Sequence, residues 1–148
     1  MATRKATAKK KTSAKGVAPA TRVKPLPPTL DDLRRISRIL VTATCMGELE
    51  QIFDLYSEGI ESEEIGSGQI FRGIAAVEKK IAAWAKQHPE AAYNPVNMWC
   101  DGQTITIEWE ITLKSKGRKG ILRELAIYEL REGKIIRERF YYDPAALA

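Results

Sequence analysis

The strongest constraint on this chain is the strand-and-turn rhythm of its C-terminal half. Between Asn94 and Asp143, four β-rich runs (94–100, 103–115, 121–130 and 134–143) are separated by Asp101-Gly102, by KGRKG and by Arg131-Glu132-Gly133. Asp-Gly between two such runs marks a hairpin, because both central turn residues must accept a positive φ. The second run alternates cleanly. Ile105, Ile107, Trp109, Ile111 and Leu113 fall on one face, and Thr104, Thr106, Glu108, Glu110 and Thr112 on the other. A curved antiparallel meander, wet on one side, follows from this pattern. The earlier part of the chain must then supply helices to cover the apolar side.

With 148 residues, 44% of them hydrophobic, the chain can bury one core. No apolar run is long enough to span a bilayer. Cys45 and Cys100 lie far apart, outside any CxxC or Cys/His spacing, so they read as buried free thiols in a reducing, cytoplasmic compartment. His88 is the only histidine, which excludes a metal site built on imidazoles and argues against a Ser-His-Asp triad. No cofactor is expected.

The net charge of +5 conceals a split. Residues 1–28 carry eight cations and no acid, which leaves sixteen cations against nineteen acids in the remainder. The first segment is rich in Ala, Lys and Thr and closes on Pro25, Pro27 and Pro28, so it reads as a disordered basic tail ahead of one domain over 29–148. Such a tail either solubilises or adds sequence-independent affinity for nucleic acid by counterion release. Its acid-free, Ala/Ser/Thr-rich composition also admits an organelle transit peptide, against which the KKK cluster counts.

Thr29 is placed to cap a first helix, with Asp31 and Asp32 in its first turn and Leu30, Leu33, Ile36, Leu40 and Ala43 as its apolar stripe. Gly47-Glu48 restarts the chain into a short helix carrying Leu49, Ile52, Phe53 and Tyr56 inward, with Gly59 as its stop. A short strand over 60–64 and a loop over 65–69 come next. A third helix runs from near Gly73 to His88, where Pro89 ends it. Its inward face is Ile74, Val77, Ile81 and Trp84, with Glu78, Lys79, Lys80 and Lys86 opposite. His88 serves as a partner for the negative end of that helix.

Three strings in this order resemble the SnoaL-like and ketosteroid isomerase-like domains of the nuclear transport factor 2-like superfamily. They are Gly47-Glu48-Leu49 with Leu55-Tyr56-Ser57-Glu58-Gly59, then Arg72-Gly73-Ile74, then Gly133-Lys134-Ile135 with Asp143-Pro144 downstream. The resemblance covers residues 30–146. It implies an α+β cone, a bent, mostly antiparallel sheet wrapped around three N-terminal helices with a pocket between them. It does not fix an activity, since the superfamily includes isomerases, cyclases, epoxide hydrolases, dehydratases and binders.

Laid on ketosteroid isomerase, the general base falls on Glu64, where a carboxylate can abstract a proton α to a carbonyl. The isomerase's two oxyanion donors fall on Leu40 and on or beside Leu125, with Glu124 adjacent but assigned to the opposite strand phase. The polar members of the limonene epoxide hydrolase site fall on Trp109, Ile111 and Phe140, which excludes epoxide opening by that machinery. The expected inner wall is therefore largely apolar: Trp84, Trp109, Ile111, Leu125, Phe140 and Tyr142. Glu64, Glu138 and Arg123 are its polar candidates, either as catalytic groups or as a satisfied ion pair. Three readings stay open: a binder of small hydrophobic molecules, an acid–base enzyme using Glu64, and a nucleic acid-associated protein acting through its tail. The outer sheet face, half apolar, is expected to form a homodimer.

Overall fold

The computed structural model describes residues 26–115 and 118–147. The basic tail lies outside the described residues except for its last positions, as do Lys116 and Gly117, the first two residues of KGRKG.

Helix α1 (Leu30–Met46) opens with a full capping box: Asp32 N–H donates to the Thr29 hydroxyl, and Thr29 N–H to the Asp32 carboxylate. It closes at Gly47, whose φ of 73° suits a residue without a Cβ. Leu33, Ile36, Leu40 and Ala43 are buried as their spacing requires, whereas Leu30 stays exposed. Helix α2 (Leu49–Phe53) is shorter than expected. Tyr56 and Gly59 belong to strand β1 (Tyr56–Glu64), so Gly59 is not a helix stop. The β-pairing of this stretch with the last strand overrides the helical spacing of its apolar residues.

A turn leads to a strand that the loop-like sequence did not suggest, β2 (Gln69–Arg72), paired antiparallel to β1. Helix α3 (Ile74–Gln87) follows, and then β3 (Ala92–Asp101), β4 (Thr104–Ser115), β5 (Arg118–Arg131), β6 (Lys134–Tyr141) and a 3-10 turn (Pro144–Leu147). The six strands form one sheet in the order β2-β1-β6-β5-β4-β3. Every pairing is antiparallel except β1 with β6. Register shifts between Pro95 and Asn97 and between Glu129 and Leu130 bend it. Helix α1 packs on β3 and β4, and α3 on β1 and β2, so the core fills the concave side. This is the α+β cone that the resemblance implied.

The facing of β5 differs from expectation. Ile105, Ile107, Trp109 and Ile111 pair with Tyr128, Ala126, Glu124 and Leu122, and paired residues share a face. Glu124 therefore points into the cone. Arg123, Leu125 and Ile127 stand on its outside, where Arg123 meets Glu110 at 3.7 Å with 79% of its side chain exposed.

Candidate functional site

The polar interior grows from two strands and one helix. Parallel pairing of β1 with β6 sets Ser62 beside Glu138 and Glu64 beside Phe140. Lys80 follows Val77 by one helical turn and precedes Trp84 by another. It therefore shares the inward stripe of α3 rather than the solvent face that its charge suggested.

These residues form one connected network. Glu138 is buried at 1% exposure, accepting from Tyr56 Oη at 2.6 Å on one oxygen and from Ser62 Oγ at 2.7 Å on the other. Lys80 Nζ donates to Ser62 Oγ and to Glu64 Oε1, both at 2.8 Å, and lies 3.6 Å from Glu138. It also sits 4.1 Å from the centre of the Phe140 ring, a cation–π contact. Side-chain exposure separates the roles. Lys80 at 14% and Glu64 at 15% can be touched by a small molecule, whereas Glu138 cannot. Glu138 is thus placed to anchor Lys80.

Glu124 completes the interior. It is half-buried, and desolvation pushes its carboxyl up to about 8; the charge of Glu64 adds to this, Lys80 opposes it and Glu138 adds again. At neutral pH it is mostly a carboxylic acid, able to donate a hydrogen bond. Burial, followed by the charge of Glu64, raises Tyr142 above the ordinary phenol range, so that hydroxyl is also a standing donor. Tyr56 and Tyr128 are raised by burial and by Glu138.

The predicted aromatic wall divides. Trp109 and Ile111 are buried core, with Tyr93 edge-on to Trp109 at 5.9 Å. Trp84 donates from its indole nitrogen to Tyr93 Oη at 2.6 Å and packs, tilted, against His88 with ring centres 4.2 Å apart. Phe140 and Tyr142 flank Lys80 and Glu64, whereas Leu125 and Arg123 are on the far side of the sheet. The interior is more polar than the sequence suggested. Lys80, Ser62, Tyr56 and Glu124 were missed, although the Val77–Lys80–Trp84 spacing and the pairing of Glu124 with Trp109 mark two of them. An open depression of about 310 Å³, lined by Ile121, Leu122, Arg123, Asp143 and Ala146, lies apart from this network. Among the described residues, no group of His, Cys, Asp or Glu is arranged to hold a metal, and no helix is long and apolar enough to cross a membrane.

Several solved structures share this fold. TerC, co-crystallised with polyporic acid, is 15% identical with a TM-score of 0.70, over 78% of this chain and 95% of its own. A candidate SnoaL-like polyketide cyclase from Jannaschia sp. is 14% identical with a TM-score of 0.70, over 90% and 94%. A candidate ketosteroid isomerase from Kribbella flavida is 15% identical with a TM-score of 0.65, over 76% and 78%. No curated protein matches the sequence. The model of the SnoaL-like domain matches residues 40–138, more than half of the chain, and the chain belongs to that family.

Proposed function

We propose that this domain is a cofactor-independent acid–base enzyme that moves a proton at carbon next to a carbonyl in a small, largely apolar molecule. The inward facing of Glu124 beside Glu64 and Lys80 carries the reading, because it supplies the oxyanion donor that the sequence lacked at Leu40 and Leu125. Glu64 keeps one oxygen on Lys80, and its other oxygen takes the α-proton. Charge then develops on the carbonyl oxygen, where the Glu124 acid and the Tyr142 hydroxyl donate to it. Returning the proton from Glu64 to the α-carbon gives exchange, and returning it to the γ-carbon of a β,γ-unsaturated substrate, through the dienolate, completes a double-bond isomerisation. Glu138, Ser62 and Tyr56 hold Lys80, and through it Glu64, in place. The names of the structural neighbours, a candidate cyclase and a candidate isomerase, accord with chemistry of this class.

The test is α-proton exchange of cyclic ketones in deuterated water, followed by NMR. Glu64→Gln is expected to remove catalysed exchange, a loss on the order of 10²–10⁴, while leaving ligand affinity close to wild type. Exchange that survives Glu64→Gln would sink the mechanism.

Binding of a hydrophobic ligand without turnover is the second reading. It is favoured by one observation: the Lys80–Ser62–Glu138–Tyr56 network is already satisfied internally, as in a structural ion pair. Wild-type affinity with no exchange on any ketone would select it. Two further proposals concern partners. The outer sheet face, with Trp99 at 52% and Ile121 at 53% exposure, pairs two copies of the chain. Residues 1–28 add salt-sensitive contact with nucleic acid, which deletion of that segment is expected to abolish.

A further inference from the structure

The charges inside the cone are unequal, and the inequality bears on what can enter. Three carboxyls, Glu64, Glu124 and Glu138, converge there, and Lys80 is the one cation among the charges acting on Glu124. That cation is already engaged: Glu64 and Ser62 accept from it at 2.8 Å, Glu138 faces it at 3.6 Å, and the Phe140 ring covers it. The arginines that the meander carries nearby do not relieve the imbalance. Arg123 pairs with Glu110, Arg137 with Glu61 and Glu63, and Arg139 with Glu129, all on the outer face. A ligand arriving with a carboxylate or phosphate would face the Glu64 carboxylate, with no free cation among the described residues to receive it.

We infer that the site takes a neutral or ammonium-bearing aromatic or carbonyl compound and refuses its carboxylate and phosphate analogues, Glu64 setting the selection by holding Lys80. This rests on the proposal that a small molecule occupies the cone beside Glu64. Coulomb repulsion between like charges at contact distance, even at the moderate effective dielectric of a protein interior, is large enough for discrimination of at least ~tenfold.

The experiment titrates the full chain at near-physiological salt and neutral pH with benzylamine, benzyl alcohol and benzoate. The readout is the indole N–H resonance of Trp84, whose partner Tyr93 lines the same interior. Any contribution of the basic segment to a given ligand is common to all variants, so the change between variants is free of it. The expected order is benzylamine or benzyl alcohol tightest, with benzoate at least ~tenfold weaker. Glu64→Gln frees the Lys80 ammonium and is expected to tighten benzoate while leaving benzyl alcohol nearly unchanged. Glu138→Gln removes a carboxylate from the same network, 3.6 Å from Lys80, and is expected to narrow the gap if the first variant does not fold. Benzoate bound as tightly as benzyl alcohol by the wild type overturns the inference. So does an unchanged gap in whichever variants fold. If none of the three probes moves the Trp84 resonance, the small-molecule reading falls first and takes this inference with it.

Discussion

Glu124 and Glu138 occupy the same concave face and have opposite consequences for stability. Burial, reinforced by Glu64, lifts the Glu124 acid from 4.5 to about 8. The folded chain then keeps a proton that the unfolded chain releases, so its contribution is full below about pH 4.5 and drains away as pH rises through about 8. Glu124→Gln is expected to flatten that fall and to raise the unfolding free energy measured in urea at pH 9, by a few kcal/mol at most. An unchanged pH profile would show that Glu124 is ionised at neutrality. Glu138 is a different case, because both of its oxygens are satisfied by Tyr56 and Ser62 and Lys80 stands nearby. Glu138→Ala strands a buried hydroxyl and leaves Lys80 with one carboxylate, for an expected loss of about 3–5 kcal/mol in urea unfolding. Glu138→Gln, which keeps an acceptor for one hydroxyl, is expected to lose less.

At the level of elements, legibility followed the contrast between faces. The β4 run was readable because isoleucines and a tryptophan alternate with threonines and glutamates, and the structure buries the residues that this pattern names. The β5 run offers no such contrast: Leu122, Ala126 and Tyr128 alternate with Ile121, Leu125 and Ile127, so either phase looks apolar. Only the pairing of Trp109 with Glu124 settles it, and that is a long-range fact. Helix α3 misled for another reason. By type Lys80 belongs in water, whereas its spacing from Val77 and Trp84 places it inside, where Glu64 and Glu138 stabilise its charge. Strand β2 spans four residues, too few to show a period. The turn between β1 and β2 carries a testable consequence. A Cβ on Gly66 would stand 2.7 Å from Pro144 Cγ and 2.9 Å from the Tyr142 carbonyl oxygen, so the turn lies hard against the C-terminal segment. Ile65 N–H also donates to the Phe140 carbonyl at 3.0 Å. Gly66→Ala is expected to push that segment away and to speed amide exchange over residues 143–147 at little cost to the core. It should also weaken any activity that uses Tyr142. Unaltered exchange in this segment would mean that the turn yields instead.

For the whole molecule, the two faces of the sheet divide the labour. The concave side gathers the acid–base groups. The convex side carries a ladder of ion pairs, Arg72–Glu61, Arg137–Glu63 and Arg139–Glu129, beside an apolar strip of Trp99, Ile121, Leu125 and Ile127. Surface ion pairs of this sort add little to stability singly, about 0–1 kcal/mol each. Their more useful effect is to fix the register in which the convex side meets another surface, since like charges brought face to face are penalised. A two-fold pairing of convex sides covers the strip on both copies at once and leaves the concave site of each open. It also gives a prediction independent of any ligand. Light scattering of the full chain at micromolar concentration is expected to give the dimer mass. Ile121→Glu should shift it to the monomer without altering the far-ultraviolet circular dichroism, because Ile121 contributes to no buried core. Wild-type chain that scatters as a monomer would leave the strip without that role, while the acid–base interior would stand unaffected, since none of its groups lies on the convex side.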